Sequence, residues 1–201
     1  LEDEISLLGI LRENNLHSPE TLHVCNDTGI IGAPFYLSAF LPGARVVNSI
    51  PDALNNVEDK VGMSRRAIDD LARIQVEISP KQVEGLDQGG SDLRKLVLES
   101  KRLARKLKMR RLPGFEILGD YLLENCPESR PAVLSHGRYG MQNLLFMTQP
   151  PPTISGVFGW ERATACDPLM DLGYFTATYS DRDLPPTPLD TAPVTRDEDG
   201  F

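Results

Sequence analysis

The sequence predicts an α+β fold in which a few short strands accompany a mainly helical second part. Two observations support this prediction. Short apolar runs bounded by turn residues occur towards both ends of the chain, as in strands. Longer segments between them repeat apolar residues every three or four positions, as in amphipathic helices. With 201 residues, 40% of them hydrophobic, the chain is long enough to bury a core.

The N-terminal part of the chain predicts one helix and two strands. Apolar residues recur with helical spacing from Glu4 to Asn14. Residues 21–25 and 34–40 are apolar runs that predict strands, with turn residues at 26–29 between them. A Pro-Gly pair at 42–43 ends the second strand.

Three helices are predicted in the middle of the chain. The first covers 64–78 and the second 91–110, and each begins at a serine that can cap its N-terminus. The third covers 115–125. The segment 80–90, which ends in two glycines, predicts a loop.

The second of these helices is strongly basic. Residues 94–111 contain nine of the 21 Lys and Arg residues of the chain. This pattern fits a solvated helix face that balances an otherwise acidic chain, which is the simpler interpretation. It also fits a site for an anionic partner.

Composition and charge exclude several classes of protein. The net charge of −8 at pH 7 argues against a nucleic-acid-binding protein. No apolar run approaches the roughly 18 residues of a membrane span, and the acidic N-terminus has no signal-peptide layout. Cys25, Cys126 and Cys166 are odd in number and widely spaced, as expected of unpaired thiols in the reducing cytoplasm. The first residue is not Met, which predicts a processed or partial chain.

A polar stretch at 135–143 lies between two short apolar runs, 132–134 and 144–147. The pattern predicts a strand, a tight loop and a second strand. Functional side chains are commonly placed on such loops. Two further segments follow, at 154–161 and 167–172.

Together these segments resemble the aminoglycoside phosphotransferase family, and in particular the kinase-like domain associated with acyl-CoA dehydrogenases. That family carries His-Gly-Asp followed after four residues by Asn, then Leu-Asp-Trp-Glu, then Gly-Asp-Pro-x-x-Asp-Leu. The matching positions are His136, Gly137, Asn143, Trp160, Glu161, Asp167, Pro168, Asp171 and Leu172. The phrase at 31–36, Ile-Gly-Ala-Pro-Phe-Tyr, is also similar to the family.

The resemblance implies a protein-kinase-like fold with its N-lobe partly missing and a truncated, mainly helical C-lobe. Residues 1–43 would be the remnant of the N-lobe, with a helix, two strands and a hinge. Residues 44–180 would be the C-lobe, with the catalytic-type loop at 135–146. Residues 181–201 are rich in Pro and Asp and predict an extended or disordered tail.

The resemblance also assigns the catalytic loop. Arg138 stands at the position of the family's catalytic Asp, and His136 anchors the loop. Asp167 and Asp171 would brace this loop from the following helix. Asp167, placed before Pro168, also predicts a helix N-cap.

The cofactor positions follow in the same way. Asn143 and Gly159 occupy the two metal-ligand positions, the second of them an Asp in the family. If 159 and 161 lay on one strand, Glu161 would share a face with residue 159 and could reach the metal. The backbone at Ser38, Ala39 and Leu41 would meet an adenine edge.

Glu4 falls at the family's helix Glu, which pairs with a phosphate-binding Lys. Its alternative interpretation is a solvated helix charge, and we expect this one.

By resemblance the protein is an ATP- and Mg²⁺-dependent phosphotransferase acting on the hydroxyl of a small molecule, with hydroxyacyl compounds as the suggested class. We expect this activity to be impaired, because Arg138 cannot act as a base near neutral pH and Gly159 supplies no ligand. The alternative is a non-catalytic, pseudokinase-like binding or regulatory protein. Substrate identity and oligomeric state stay open.

Overall fold

The computed structural model describes residues 1–47, 50–83, 85–90, 92–106 and 114–179. Six α-helices and eight strands make up the regular structure of this part of the chain, with short 3-10 turns between some of them. The helices are α1 Glu2–Glu13, α2 Thr28–Ile31, α3 Val57–Glu77, α4 Leu93–Lys106, α5 Phe115–Glu124 and α6 Leu169–Ala177. The strands are β1 Thr21–Cys25, β2 Phe35–Ser38, β3 Ala44–Arg45, β4 Asp87–Gly90, β5 Val133–Ser135, β6 Leu144–Phe146, β7 Ile154–Val157 and β8 Thr164–Cys166.

The strands form three small sheets. Strands β1 and β2 are an antiparallel pair, and β3, β6 and β7 form an antiparallel sheet in that order. In the third sheet β8 lies between β4 and β5; it is parallel to β4 and antiparallel to β5. The polar loop at 136–143 therefore leaves one sheet at β5 and enters another at β6.

The apolar core connects α1 and α3 to this loop and to α6. It contains Leu7 and Leu11 of α1 and Met63 and Ile74 of α3, all almost fully buried. Tyr139 in the loop is also fully buried, and its hydroxyl donates a 2.7 Å hydrogen bond to the carbonyl oxygen of Ala67. Because one hydroxyl in the core joins the loop to α3, the position of the loop depends on helix packing.

Several predicted elements are confirmed. Helix α1, strands β1 and β2, helix α5 and the strands on either side of the polar loop all lie where periodicity places them, within a few residues. The predicted turn at 26–29 differs slightly, because Asp27 caps the four-residue helix α2 by accepting a hydrogen bond from Gly29 N.

The predicted start of the first middle helix is wrong. Helix α3 begins at Val57, and its N-cap is Asn56, whose side-chain oxygen accepts a 3.0 Å hydrogen bond from Asp59 N. The predicted cap Ser64 lies inside the helix, with its hydroxyl 2.6 Å from that of Tyr179. The polar residues before it resemble a loop, but acidic residues stabilise a first helical turn.

The predicted loop at 80–90 contains a strand. A short 3-10 helix covers Pro80–Gln82, and β4 then pairs with β8. Asp and Gly have little intrinsic preference for strands, so this strand depends on its partner.

The start of the second middle helix differs from the prediction. Asp92 caps α4 by accepting a 3.0 Å hydrogen bond from Lys95 N. The predicted cap Ser91, residues 107–113 and the predicted tail at 181–201 lie outside the described residues.

Acidic residues of α5 pair with part of the basic face of α4. Lys101 is buried, with its Nζ 2.6 Å from Asp120 Oδ1 and 3.1 Å from Glu116 Oε2. Arg105 Nη2 lies 2.8 Å from the same Glu116 oxygen. Hydrogen bonds from Arg105 and Lys101 lower the pKa of Glu116 to about 2. No helix within the described ranges is long and apolar enough to cross a membrane.

Replacing Tyr139 by Phe tests the connection between the loop and α3. The change leaves the buried carbonyl of Ala67 without this donor, so we expect the free energy of unfolding to fall by about 1 kcal/mol. Urea unfolding would measure it. Tyr121→Phe, at an exposed residue of α5, is the matched control and should cause no change. Equal effects of the two variants would contradict the prediction.

The depressed pKa of Glu116 predicts an acid-sensitive contact between α4 and α5. A carboxylate whose pKa is lowered by folding stabilises the protein above its unfolded pKa, and this contribution is lost as the pH falls towards the folded pKa. The stability difference between wild type and Glu116→Gln should therefore be constant near neutral pH. This difference should shrink as the pH falls from 4.5 to about 2. Urea unfolding at several pH values checks this, with exposed Glu128→Gln as control.

Candidate functional site

The polar loop after β5 is held by one carboxylate of α6. Asp171, in the first turn of that helix, is buried, and its Oδ2 accepts a 2.7 Å hydrogen bond from His136 N. Its Oδ1 accepts a 2.9 Å hydrogen bond from Gly137 N. Both oxygens of a buried carboxylate are thus used to fix two consecutive peptide groups of the loop.

Gly137 is required by the close approach of two segments. Its φ of +79° lies in the left-handed region, which glycine adopts without strain. A Cβ at this position would also collide with the carbonyl oxygen of Arg162. The loop can therefore lie directly against the turn at 160–162.

His136 is a structural part of the loop. Its ring is buried, and burial lowers its pKa, so we treat it as neutral. Nδ1 accepts a hydrogen bond from Arg138 N at 3.2 Å, so Nε2 carries the proton and donates to Phe158 O at 2.8 Å. The ring also lies 4.5 Å from that of Trp160. His136 thus connects the loop to the segment that follows β7.

Arg138 is the charged side chain that this loop presents. Its carbonyl oxygen accepts a 2.9 Å hydrogen bond from Asn143 Nδ2. Its guanidinium Nη1 lies 3.9 Å from Glu161 Oε1, and the two side chains are 44% and 54% exposed. The guanidinium is therefore held only weakly and remains accessible to solvent.

Residues 159 and 161 do not share a strand, so the expected alignment of Glu161 with residue 159 is wrong. Strand β7 ends at Val157, Gly159 has a φ of +84°, and Trp160–Arg162 form a 3-10 turn. The positive φ turns the chain out of the strand direction. A Cβ at Gly159 would lie 3.1 Å from Asn143 Oδ1, so the amide of Asn143 packs against this glycine.

The hinge residues and the two metal positions line one cleft, which we call the hinge cleft. Its volume is about 550 Å³. The lining comprises Ser38, Ala39, Phe40, Leu41, Gly43, Arg45, Asn143, Leu145, Phe158 and Gly159. Arg45 was not predicted as a site residue; its Nε donates a 2.9 Å hydrogen bond to Gln142 O, and its Nη2 contacts the same oxygen.

A second cleft of about 640 Å³, the loop cleft, lies on the α6 side of the same loop. It includes Gly137 and Asp171, together with Glu161 and Arg162 of the 3-10 turn. Cys166 and Tyr174 add a thiol and a phenol to the lining.

Glu4 does not line either cleft. It accepts a 3.1 Å hydrogen bond from the hydroxyl of Tyr36, so it is not simply a solvated charge. Burial and the nearby charge of Glu4 raise the pKa of Tyr36 to about 12. Glu4 and Glu161 share a smaller cavity of about 210 Å³ beside α1.

Asp167 acts next to the loop rather than on it. Its Oδ1 accepts a 2.9 Å hydrogen bond from Leu169 N at the start of α6. Its Oδ2 accepts a 2.7 Å bond from Arg130 N, ahead of β5. Unlike Asp171, it therefore holds the chain that leads into the loop.

Solved structures share this architecture. A Ralstonia eutropha protein assigned to the aminoglycoside phosphotransferases matches with a TM-score of 0.74 and 20% identity, over 92% of this chain and 56% of that one. A Streptomyces rimosus aminoglycoside phosphotransferase, solved with ADP and streptomycin, matches with a TM-score of 0.54 and 15% identity, over 88% and 65%. At these identities the likeness shows the fold, which is the protein-kinase-like fold expected from the sequence.

Curated relatives are similar in sequence. Acyl-CoA dehydrogenase family member 10 of Mus musculus is 25% identical over 181 residues, covering 89% of this chain and 17% of the relative. Acyl-CoA dehydrogenase family member 11 of Gallus gallus is 28% identical over 170 residues, covering 80% and 21%. The chain thus spans about a fifth of the length of these relatives.

The model of the phosphotransferase enzyme family, APH, matches residues 1–193, which is nearly the whole chain. The loop geometry, the fold and this match agree, and the chain belongs to the APH phosphotransferase enzyme family.

Proposed function

We propose that this chain binds an ATP-class nucleotide in the hinge cleft and a small hydroxyl compound in the loop cleft, with impaired phosphoryl transfer between them. The observation that carries the proposal is the position of Arg138. Its backbone contacts Asn143 of the hinge cleft, and its guanidinium lies 3.9 Å from Glu161 of the loop cleft. The residue that contacts both clefts, through its backbone on one side and its side chain on the other, is therefore a cation rather than a carboxylate.

Nucleotide binding is supported by the hinge cleft. Its volume of about 550 Å³ falls within the range of about 300–1,000 Å³ that is usual for small-molecule sites. The carbonyl of Ala39 and the N–H of Leu41 are the backbone groups that we expect to meet the adenine edge. The Streptomyces rimosus relative that was solved with ADP supports the same class of ligand.

Impaired transfer follows from the chemistry of arginine. The attacking hydroxyl in phosphoryl transfer is oriented by a group that accepts its proton, and a guanidinium has no acceptor atom. Loss of a general base alone lowers the rate by roughly 10² to 10⁴. Arg138 therefore favours binding over turnover.

The residues at the metal positions do not fit Mg²⁺, which prefers carboxylate oxygens in octahedral geometry. Gly159 supplies none, and Asn143 offers one amide oxygen. The carboxylate of Glu161 lies 3.9 Å from the guanidinium of Arg138. The positive charge of this guanidinium repels Mg²⁺. Within the described ranges, no three His, Cys, Asp or Glu side chains converge to hold a metal.

The half-exposed carboxylate of Glu161 favours a second candidate function, an active phosphotransferase. Glu161 lines the loop cleft, where a hydroxyl compound would lie. Its oxygen would accept the hydroxyl proton in place of the missing base. The curated relatives are named as acyl-CoA dehydrogenase family members, so acyl compounds that carry a hydroxyl group are the first substrates to test.

We also propose a cytoplasmic location. All three cysteines are free, with Cys166 buried and Cys25 and Cys126 partly buried. Unpaired thiols are typical of a reducing compartment.

Binding and turnover measured on the same protein separate the two candidates. Calorimetry should detect ATP binding, and phosphate transfer to hydroxyacyl compounds should be roughly 10² to 10⁴ slower than in a phosphotransferase that retains the base. Impaired transfer is expected because no acceptor replaces the base at position 138. Turnover that disappears in Glu161→Gln would instead establish the second candidate.

The contact between Asp171 and the loop should be required for both stability and binding. In Asp171→Asn an amide N–H₂ replaces one acceptor and faces a backbone N–H. We expect the free energy of unfolding to fall by about 1–3 kcal/mol. ATP binding should weaken too, because the loop carries Asn143. Urea unfolding and calorimetry measure the two effects, with exposed Asp69→Asn on α3 as the matched control. Full stability in Asp171→Asn would contradict this role.

A further inference from the structure

We infer that the guanidinium groups of Arg138 and Arg45 bind the phosphates of the nucleotide in place of a divalent cation, so that the hinge cleft takes a metal-free nucleotide. The inference rests on the nucleotide binding proposed above and adds the chemical form of the ligand. It starts from the disagreement between the residues present and a magnesium site.

The charge of the hinge cleft is the first argument. Among its ten lining residues, all within the described part of the chain, Arg45 is the ionisable one. No carboxylate lies in this lining. A cleft with a cation and no carboxylate attracts phosphate directly, and it offers little to hold Mg²⁺.

The orientation of Arg45 is the second argument. Its Nε and Nη2 both donate to the carbonyl oxygen of Gln142, which fixes the plane of the guanidinium. Arginine has five N–H donors in a rigid arrangement, so donors remain for phosphate oxygens. A guanidinium held in place by the backbone loses little conformational freedom when it binds an anion.

The weak pairing of Arg138 is the third argument. The side-chain amide of Asn143 donates to the carbonyl oxygen of Arg138, so the backbone of Arg138 lies beside the end of the cleft where Asn143 and Gly159 meet. Its contact with Glu161 is long, at 3.9 Å, and both side chains are about half exposed. Exposed ion pairs of this kind contribute little to stability, so Arg138 can exchange this contact for another. Charge-assisted hydrogen bonds between arginine and phosphate are shorter and stronger.

The absence of a ligand side chain at Gly159 completes the argument. The amide of Asn143 packs against this glycine, which itself offers no side-chain oxygen as a metal ligand. Free ATP carries more negative charge than its magnesium complex. Two guanidinium groups without a carboxylate ligand therefore favour the free form.

The test measures ATP binding by calorimetry in two buffers, one with excess Mg²⁺ and one with EDTA, on the full chain. We expect ATP to bind in EDTA at least as tightly as with Mg²⁺. In Arg138→Gln, affinity in EDTA should fall by about tenfold, because a charge-assisted contact to phosphate is lost. Arg65→Gln, which removes the same charge from an exposed position on α3, should bind like wild type.

Adenosine is the matched ligand control because it lacks phosphates. Arg138→Gln should leave adenosine binding, measured by displacement of ATP from wild type and variant, unchanged. An equal loss of adenosine affinity would mean that Arg138 shapes the cleft and does not bind phosphate, which overturns the inference.

Two further outcomes have distinct meanings. Binding to wild type that requires Mg²⁺ overturns the inference and leaves the proposed nucleotide binding intact. No binding of ATP in either buffer overturns the proposed function, and the inference with it. Circular dichroism of each variant shows that a loss of affinity does not come from unfolding, since Arg138 makes its hydrogen bonds to the loop through its backbone.

Discussion

The two hydrogen bonds from the loop backbone to Asp171 are the interaction on which both clefts depend. A buried carboxylate is costly unless its oxygens are satisfied, and here they accept from His136 N and Gly137 N. The bonds fix the loop relative to α6, and the buried ring of His136 then fixes the segment that follows β7 through Phe158 O. Without the carboxylate, the buried N–H of His136 would lose its acceptor, and Gly137 N would keep only the longer 3.2 Å hydrogen bond to Ser135 Oγ.

This framework does not use the side chain at position 138. The loop is closed by the N–H of Arg138, which donates to His136 Nδ1, and by its carbonyl, which accepts from Asn143. Gly159 likewise satisfies a backbone requirement, since a positive φ is accessible to glycine without strain. The side chains at positions 138 and 159 can therefore carry a different charge from those of the family while the backbone keeps the same path. A family fold and an altered electrostatic site are compatible for this physical reason.

Local patterns predicted the parts of this structure that local interactions determine. Helices α1 and α5 follow from apolar periodicity, and the loop between β5 and β6 follows from a polar stretch between two apolar runs. Strand β4 was not predictable, because it exists through pairing with β8. Arg45 was missed because it meets Gln142 across 97 residues of sequence. The alignment of Glu161 with position 159 failed because the chain turns at Gly159, and an alternation rule holds only within a strand.

In the proposed site, a solvent-accessible cation at position 138 separates binding from transfer. An arginine that contacts phosphates stabilises their charge before the reaction as well as during it, and uniform stabilisation lowers the dissociation constant without raising the rate of the chemical step. Rate requires a group whose interaction strengthens as the hydroxyl attacks, such as a base aligned with its proton. Arg138 has no acceptor, and Glu161, the neighbouring carboxylate, is directed by a 3-10 turn towards the loop cleft rather than the hinge cleft. In the function that we propose, Arg138 in place of the base therefore adds affinity for the phosphates and supplies no proton acceptor.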